Sequence, residues 1–379
     1  MRRWFLMLAC LVLMTPGMGS AANARGMPEQ RWAVCGQWRQ VPIPDPSATG
    51  WLNDIAVVSP TEAWAVGGFG ASPYVEPLAL HWTGRRWERE AFPDVADEFV
   101  TLNAVAVVSP RDVWAVGTRA SEGSPQPGPA PFAARWRGDG WKLVPLGDPT
   151  LHGSLEGLAV IPGTDHLWAV GQTWEAAGRP LAMLWNGERW RRHRVAHPVA
   201  GRSDMFFDVV AFAGSAWAVG ESRGSDDRSR VLSARWNGSE WRATLGPAGS
   251  ARAVDGTRPD RLWAVGGRPA ARPGYERPGI LRRTGAGWRW VYTGRGLGSL
   301  HDVVNPAPGV AWAVGFQGDW PDVAPFVLHL SRQGWVTGRS LEVPGWLAAI
   351  DGTPHNLWVA HMRLLRGGEP TLYDTYHRC

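Results

Sequence analysis

The sequence predicts an all-β fold, a seven-bladed β-propeller of four-stranded antiparallel blades. Two observations carry this expectation. The string Trp-Ala-Val-Gly begins at Trp64, Trp114, Trp168, Trp217, Trp263 and Trp312, and a degenerate copy, Trp-Val-Ala-His, begins at Trp358. The spacings are 50, 54, 49, 46, 49 and 46 residues, a period suited to one propeller blade. Around each copy the apolar pattern alternates with period two and turn residues punctuate it, with no helical periodicity. A lone four-stranded sheet cannot cover both of its faces, whereas radially stacked sheets bury them on one another.

Each unit reads in the same order. A β-rich run comes first: Leu52 to Val58, Leu102 to Val108, Leu155 to Ile161, Phe206 to Phe212, Ala251 to Asp255, Leu300 to Val304 and Leu347 to Ile350. The Trp-Ala-Val-Gly strand follows, then a variable loop, then a third strand such as Leu78 to Trp82 or Phe132 to Trp136. After a tight turn comes a last strand marked by Trp87, Trp141, Trp190, Trp241, Trp288 or Trp335. The seventh unit lacks a tryptophan-marked last strand after Thr371 to Tyr376. Cys35 to Pro42, with Trp38, has the pattern of that missing strand, so the ring is expected to close three-plus-one through the N-terminal strand.

The start of the chain reads as a leader. Met1-Arg2-Arg3 is basic, Trp4 to Met14 is apolar, and Ala22-Asn23-Ala24 is a small-x-small cleavage pattern. Segment 1–24 is therefore expected to be a signal peptide, residues 25–379 a single domain, and the protein secreted. Outside the leader only Cys35 and Cys379 remain, and their positions beside the closing turn predict a disulfide there. Formal net charge is +5 over the whole chain and +3 without Arg2 and Arg3. Lys142 is the only lysine and the arginines are scattered, which argues against nucleic acid as a partner. No later segment is apolar enough to span a membrane, and a monomer is expected.

Of 25 tryptophans, seven mark second strands, four mark third strands (Trp82, Trp136, Trp185 and Trp236), and seven mark last strands, counting Trp38. Their regular placement assigns them to packing between blades. The glycines closing Trp-Ala-Val-Gly suit positions needing open backbone space or positive φ.

Trp-Ala-Val-Gly, a loop, then Leu-His-Trp-x-Gly-x-x-Trp at residues 80–87 resembles secreted bacterial kelch-like propellers. It is similar as well to the propellers of photosystem assembly factors. The resemblance covers nearly all of residues 33–379 and implies the fold, not a chemistry. Paired kelch-type glycines survive only at Gly67-Gly68 and Gly266-Gly267, and no Asp-box or galactose-oxidase cofactor pattern is found.

In a four-stranded meander the loops after strands two and four share one face. Here those after strand two are long and dissimilar: Gly68 to Pro77, Thr118 to Pro131, Gln172 to Pro180, Glu221 to Arg230, Gly267 to Pro278 and Phe316 to Pro325. Variable loops on a rigid scaffold are where binding usually resides. Trp51, Trp174, Trp320 and Trp346 break the repeat pattern on that face and could stack on sugars or grip a protein. A second set aligns just ahead of the first-strand valine, at the expected mouth of a central funnel: Asn53, Asn103, Glu156, Phe207, Arg252, His301 and Leu347.

Catalytic patterns are weak. Gly220 to Gly224 fits G-x-S-x-G but precedes a loop, not a helix. His193 and His197 have no acid between them, and Glu175, Asp226, Asp227 and Asp322 are ordinary loop acids. No cofactor is assigned. The leading expectation is a binding module for a protein or glycan at the cell envelope. The alternative is a lyase or hydrolase with Glu156, Arg252 and His301 in acid–base and anion-binding roles.

Overall fold

The structure is a computed structural model that describes residues 37–44, 49–71, 74–95, 99–120, 128–174, 178–196, 198–364 and 370–378. The chain divides into Met1–Cys35 and Gly36–Cys379. The first unit, with the leader reading and Cys35, lies outside the described residues, as does Cys379. No helix occurs among the described residues, and none is long and apolar enough to cross a membrane.

Repeat 1 is β2 (Gly50–Ser59), β3 (Glu62–Ala71), β4 (Tyr74–Trp82) and β5 (Trp87–Arg89); β1 (Arg39–Val41) precedes it. Repeat 2 is β6 (Phe99–Ser109), β7 (Asp112–Ala120), β8 (Ala130–Trp136) and β9 (Trp141–Val144). Repeat 3 is β10 (Gly153–Val160), β11 (Leu167–Thr173), β12 (Arg179–Trp185) and β13 (Trp190–His193). Repeat 4 is β14 (Ser203–Phe212), β15 (Ser215–Arg223), β16 (Ser229–Trp236) and β17 (Trp241–Ala248). Repeat 5 is β18 (Ser250–Arg258), β19 (Arg261–Pro269), β20 (Glu276–Thr284) and β21 (Gly287–Thr293). Repeat 6 is β22 (Gly298–Ala307), β23 (Val310–Asp319), β24 (Asp322–Ser331) and β25 (Gly334–Thr337). Repeat 7 is β26 (Gly345–Thr353), β27 (Asn356–Leu364) and β28 (Pro370–Arg378).

Each repeat is an antiparallel meander, so the fold is propeller-like and all-β. Repeats 1 and 2 touch through one parallel pair, Val75↔Phe99. The first strands pack in the order β2, β6, β10, β14, β18, β22 and β26, and β26 in turn packs on β2. The fourth strand beside β28 is β1, with Arg39 opposite His377 and Val41 opposite Thr375. Gln40 Nε2 donates to Asp374 Oδ1 at 2.8 Å, and Thr375 Oγ1 donates to the Val41 carbonyl at 3.2 Å, tying the two strands by side chains as well.

The tryptophans form clasps between neighbouring repeats. Trp64, Trp114, Trp168 and Trp358 each meet a third-strand tryptophan of the next repeat (Trp136, Trp185, Trp236 and Trp82) at 4.7–5.0 Å, tilted. A fourth-strand tryptophan of that repeat stands edge-on at 5.0–5.6 Å. Trp358, in the last repeat, thus meets Trp82 and Trp87, in the first. The register then sets a basic or imidazole side chain across each second-strand tryptophan: His81, Arg135, Arg235, Arg282, His329 and His377 face Trp64, Trp114, Trp217, Trp263, Trp312 and Trp358. Repeat 3 has Leu184 there, and His193 from β13 meets Trp168 instead, at 5.0 Å. Where the partner is an arginine, as with Arg135, Arg235 and Arg282, the cation–aromatic contact contributes about 0.5–1 kcal/mol where solvent reaches it.

Two sequence expectations change. The Trp-Ala-Val-Gly glycines do not have positive φ; they meet a crowded backbone. A Cβ on Gly67 would lie 1.9 Å from the Trp51 carbonyl oxygen, and on Gly220 1.9 Å from that of Met205. The long-loop expectation also shortens, because strands extend into it: every described residue from Gly68 to Pro77 is strand, and Phe316 to Pro325 is strand except for Trp320-Pro321. Backbone pairing continues wherever alternating side chains can reach neighbouring repeats, whatever the turn residues in the sequence suggest.

Candidate functional site

Every first strand carries a β-bulge at the same place. The register slips between Leu52 and Asp54, Leu102 and Ala104, Leu155 and Gly157, Phe206 and Asp208, Ala251 and Ala253, Leu300 and Asp302, and Leu347 and Ala349. The bulged residues are therefore Asn53, Asn103, Glu156, Phe207, Arg252, His301 and Ala348. Six coincide with the aligned funnel set, and the seventh corrects it. Leu347 is fully buried, equivalent to Leu52 and Leu300, and Ala348 takes the bulge. A bulge re-aims its side chain out of the ladder, and at Asn53, Asn103, Arg252 and His301 it reaches the next repeat.

Asn53 Nδ2 donates to the Leu102 carbonyl at 2.8 Å, and Asn103 Nδ2 to the Leu155 carbonyl at 2.9 Å. His301 donates to the Leu347 carbonyl, and Arg252 Nε to Ser299 Oγ at 3.3 Å. The Arg252 guanidinium also lies 5.6 Å over the Phe207 ring. Asn53, Asn103, Arg252 and His301 are thus engaged in joining repeats. Burial, with the Arg252 charge, pushes the His301 imidazole down to about 3, so it is neutral at physiological pH. Burial pushes Glu156 up.

A set that the sequence reading missed lies one or three residues beyond these bulges. Asp54, Asp208 and Asp302 each accept the N–H of their own next residue, at 2.7–2.8 Å. Each also accepts an N–H of the next repeat, from Val105, Val254 and Ile350, at 2.7–2.8 Å. Asp255 bridges to the Asn305 N–H and Asp351 to the Val57 N–H, both at 2.6 Å. The last of these joins the seventh repeat to the first. The signal was an aspartate at one of two positions after the bulge in five repeats, hidden because it alternates between them.

Burial pushes Asp54 up to about 8 and Asp208 and Asp351 up to about 7, against the N–H bonds that favour ionisation. The charges of Asp208 and Asp351 raise Asp54 further, and those of Asp54 and Asp208 raise Asp302. Among the described residues no three His, Cys, Asp or Glu side chains are arranged to hold a metal ion.

The four pattern-breaking tryptophans divide into two kinds. Trp51 lies over Gly68, where a Cβ would stand 2.5 Å from its ring, and it stacks on Phe99 at 6.4 Å. Trp346 is half-buried against the same core cluster as Trp51. Trp174 and Trp320 are free to touch a partner, at 51% and 55% exposure. Trp320 is at the tip of the β23–β24 hairpin, 6.1 Å from the Trp346 ring, while Trp174 walls a cavity of about 400 Å³ with His152, Thr150 and Arg192. Glu175 and His197 lie outside the described residues, and His193, Ser222 and Asp322 stand in three different repeats, on β13, β15 and β24.

No family model and no curated protein matches this chain. Solved structures do match in fold. YCF48 bound to D1 peptide is 16% identical, with 90% of this chain and 97% of that one covered at a TM-score of 0.53. A Dyadobacter fermentans protein of unknown function is 10% identical, with 90% and 99% covered at a TM-score of 0.56.

Proposed function

We propose that the chain is a protein-interaction module, a seven-bladed propeller that grips a peptide segment on its long-loop face through Trp320 and Trp346. The observation that carries this reading is the exposed Trp320 ring at a hairpin tip, backed by Trp346. An indole there offers a large rigid contact area at little cost in conformational entropy. Four of the five polar groups at the bulges, Asn53, Asn103, Arg252 and His301, are already engaged between repeats, which leaves the aromatic face as the better-equipped surface. The fold likeness to YCF48, whose solved structure holds a D1 peptide, supports peptide binding as a use to which this scaffold can be put. Closure three-plus-one is supported by the β1–β28 pairing and by Trp358 meeting Trp82 and Trp87. Export, with a Cys35–Cys379 disulfide, belongs to the same reading and rests on the sequence alone.

Peptide display against the purified protein tests it. Selected peptides are expected to lose about tenfold or more in affinity against Trp320→Ala, the loss typical of a central aromatic anchor. Peptides that bind Trp320→Ala and Trp346→Ala as tightly as the parent overturn the reading.

A further inference from the structure

The clasp between repeats 5 and 6 lacks one of its parts. Repeats 1 to 4 carry a tryptophan at the end of the third strand (Trp82, Trp136, Trp185 and Trp236), and register sets Arg283, Leu330 and Arg378 at that position in repeats 5, 6 and 7. Arg283 covers the Trp217 ring at 4.9 Å, and Arg378 covers Trp312 at 4.4 Å, so two guanidinium planes stand in for the missing indoles. Leu330 is too short to do so. Beside it opens a cleft of about 790 Å³.

The comparison with repeats 1 and 2 shows what the substitution does. The cleft at the matching place there is lined by Trp136 and does not reach Trp64 or Trp141, which are 0% and 4% exposed. Between repeats 5 and 6, Trp263 and Trp335 themselves line the cleft, and both are only half-buried. They stand edge-to-face at 5.3 Å, forming two walls of the corner that a third-strand indole occupies elsewhere. The charge differs as well. The cleft between repeats 1 and 2 mixes Glu62 and Asp139 with Arg111 and Arg137. The one between repeats 5 and 6 carries Arg261, Arg282 and Arg332, and none of its lining residues is acidic.

We infer that this cleft, on the short-turn face opposite the proposed peptide site, binds a small planar aromatic anion such as an aromatic carboxylate. The ring takes the place of the absent indole against Trp263 and Trp335. The carboxylate meets the arginines at the rim, whose planar donors match it. Apolar Leu262, Leu330 and Val291 complete a pocket with apolar walls and a few charged groups, the usual make-up of a small-molecule site.

Isothermal titration calorimetry of the full chain with indole-3-acetate, and with tryptamine as the cationic ring of similar size, tests the inference. The acetate is expected to bind at millimolar concentration, about tenfold more tightly than the amine. Leu330→Trp, which restores the residue of repeats 1 to 4, is expected to abolish binding while keeping or raising the melting temperature. Arg332→Glu, which leaves the corner open, is expected to weaken the acetate about tenfold and the amine not at all. No binding of the acetate, equal binding of the two probes, or undiminished binding by a folded Leu330→Trp overturns it.

Discussion

Asp54, Asp208, Asp255, Asp302 and Asp351 sit where the first strands converge, and burial holds each of them above the usual carboxylate range. His193, His301, His329 and His377 are held below the usual imidazole range, by burial first and by a neighbouring arginine second. The two sets act on stability with opposite sign. A buried carboxyl whose folded pKa is raised favours the folded state fully below about pH 4, and that advantage is lost as pH rises through its folded value. A histidine with a depressed pKa contributes above about pH 6.5 and loses that contribution as pH falls. Asp54, Asp208 and Asp351, with folded values of about 8, 7 and 7, lose their protons within this upper range, where the contribution of the depressed histidines is already present. The melting temperature is therefore expected to fall from pH 6.5 to 8.5, and to fall less in Asp54→Asn, which cannot ionise. Equal slopes in a calorimetric pH series would show that Asp54 is not one of the groups responsible.

At the scale of the element, the second-strand tryptophan and its clasp decide how firmly neighbouring repeats adhere. Trp64 is fully buried between two tryptophans of repeat 2, whereas Trp263 is half-buried and meets a single tryptophan, Trp335, beside the Arg282 guanidinium. Trp64→Ala is expected to cost about 3–5 kcal/mol, the usual range for a buried tryptophan, and Trp263→Ala distinctly less. Urea unfolding measures both as a shift in midpoint at constant slope. The elements were legible in the sequence because Trp-Ala-Val-Gly fixes strand and register together. The glycine tolerates a carbonyl where a Cβ would collide, and the tryptophan faces the neighbouring repeat. The bulge was not legible as a bulge, since one extra residue leaves no mark on alternation, and this is why Leu347 was aligned in place of Ala348. Asn53 and Asn103 look like ligand donors in sequence, yet their amides find carbonyls 2.8 and 2.9 Å away in the next repeat. Only coordinates distinguish a solvated amide from one already paired.

For the whole molecule, the joint between repeat 7 and its neighbours carries the cost of being made from both ends of the chain. β1 contributes only three paired residues, assisted by the Gln40–Asp374 bond and by Trp38 Nε1 donating to the Arg339 carbonyl at 3.1 Å. Removing residues 1–44 is expected to lower the melting temperature, and a synthetic peptide spanning residues 36–44 to restore part of it. An unchanged melting temperature would mean that β1 closes nothing. Non-reducing peptide mapping of secreted material is expected to recover Cys35 linked to Cys379. Such a tie across so long a loop would add about 4–5 kcal/mol in the chain-entropy account and would reinforce so short a strand.

The proposed peptide-binding face is tested most directly by hydrogen–deuterium exchange of the whole protein with and without a display-selected peptide. The account predicts added protection in the β23–β24 hairpin around Trp320 and at the start of β26 around Trp346, with the short turns unchanged. Protection confined to the short-turn face, or to neither, would contradict it.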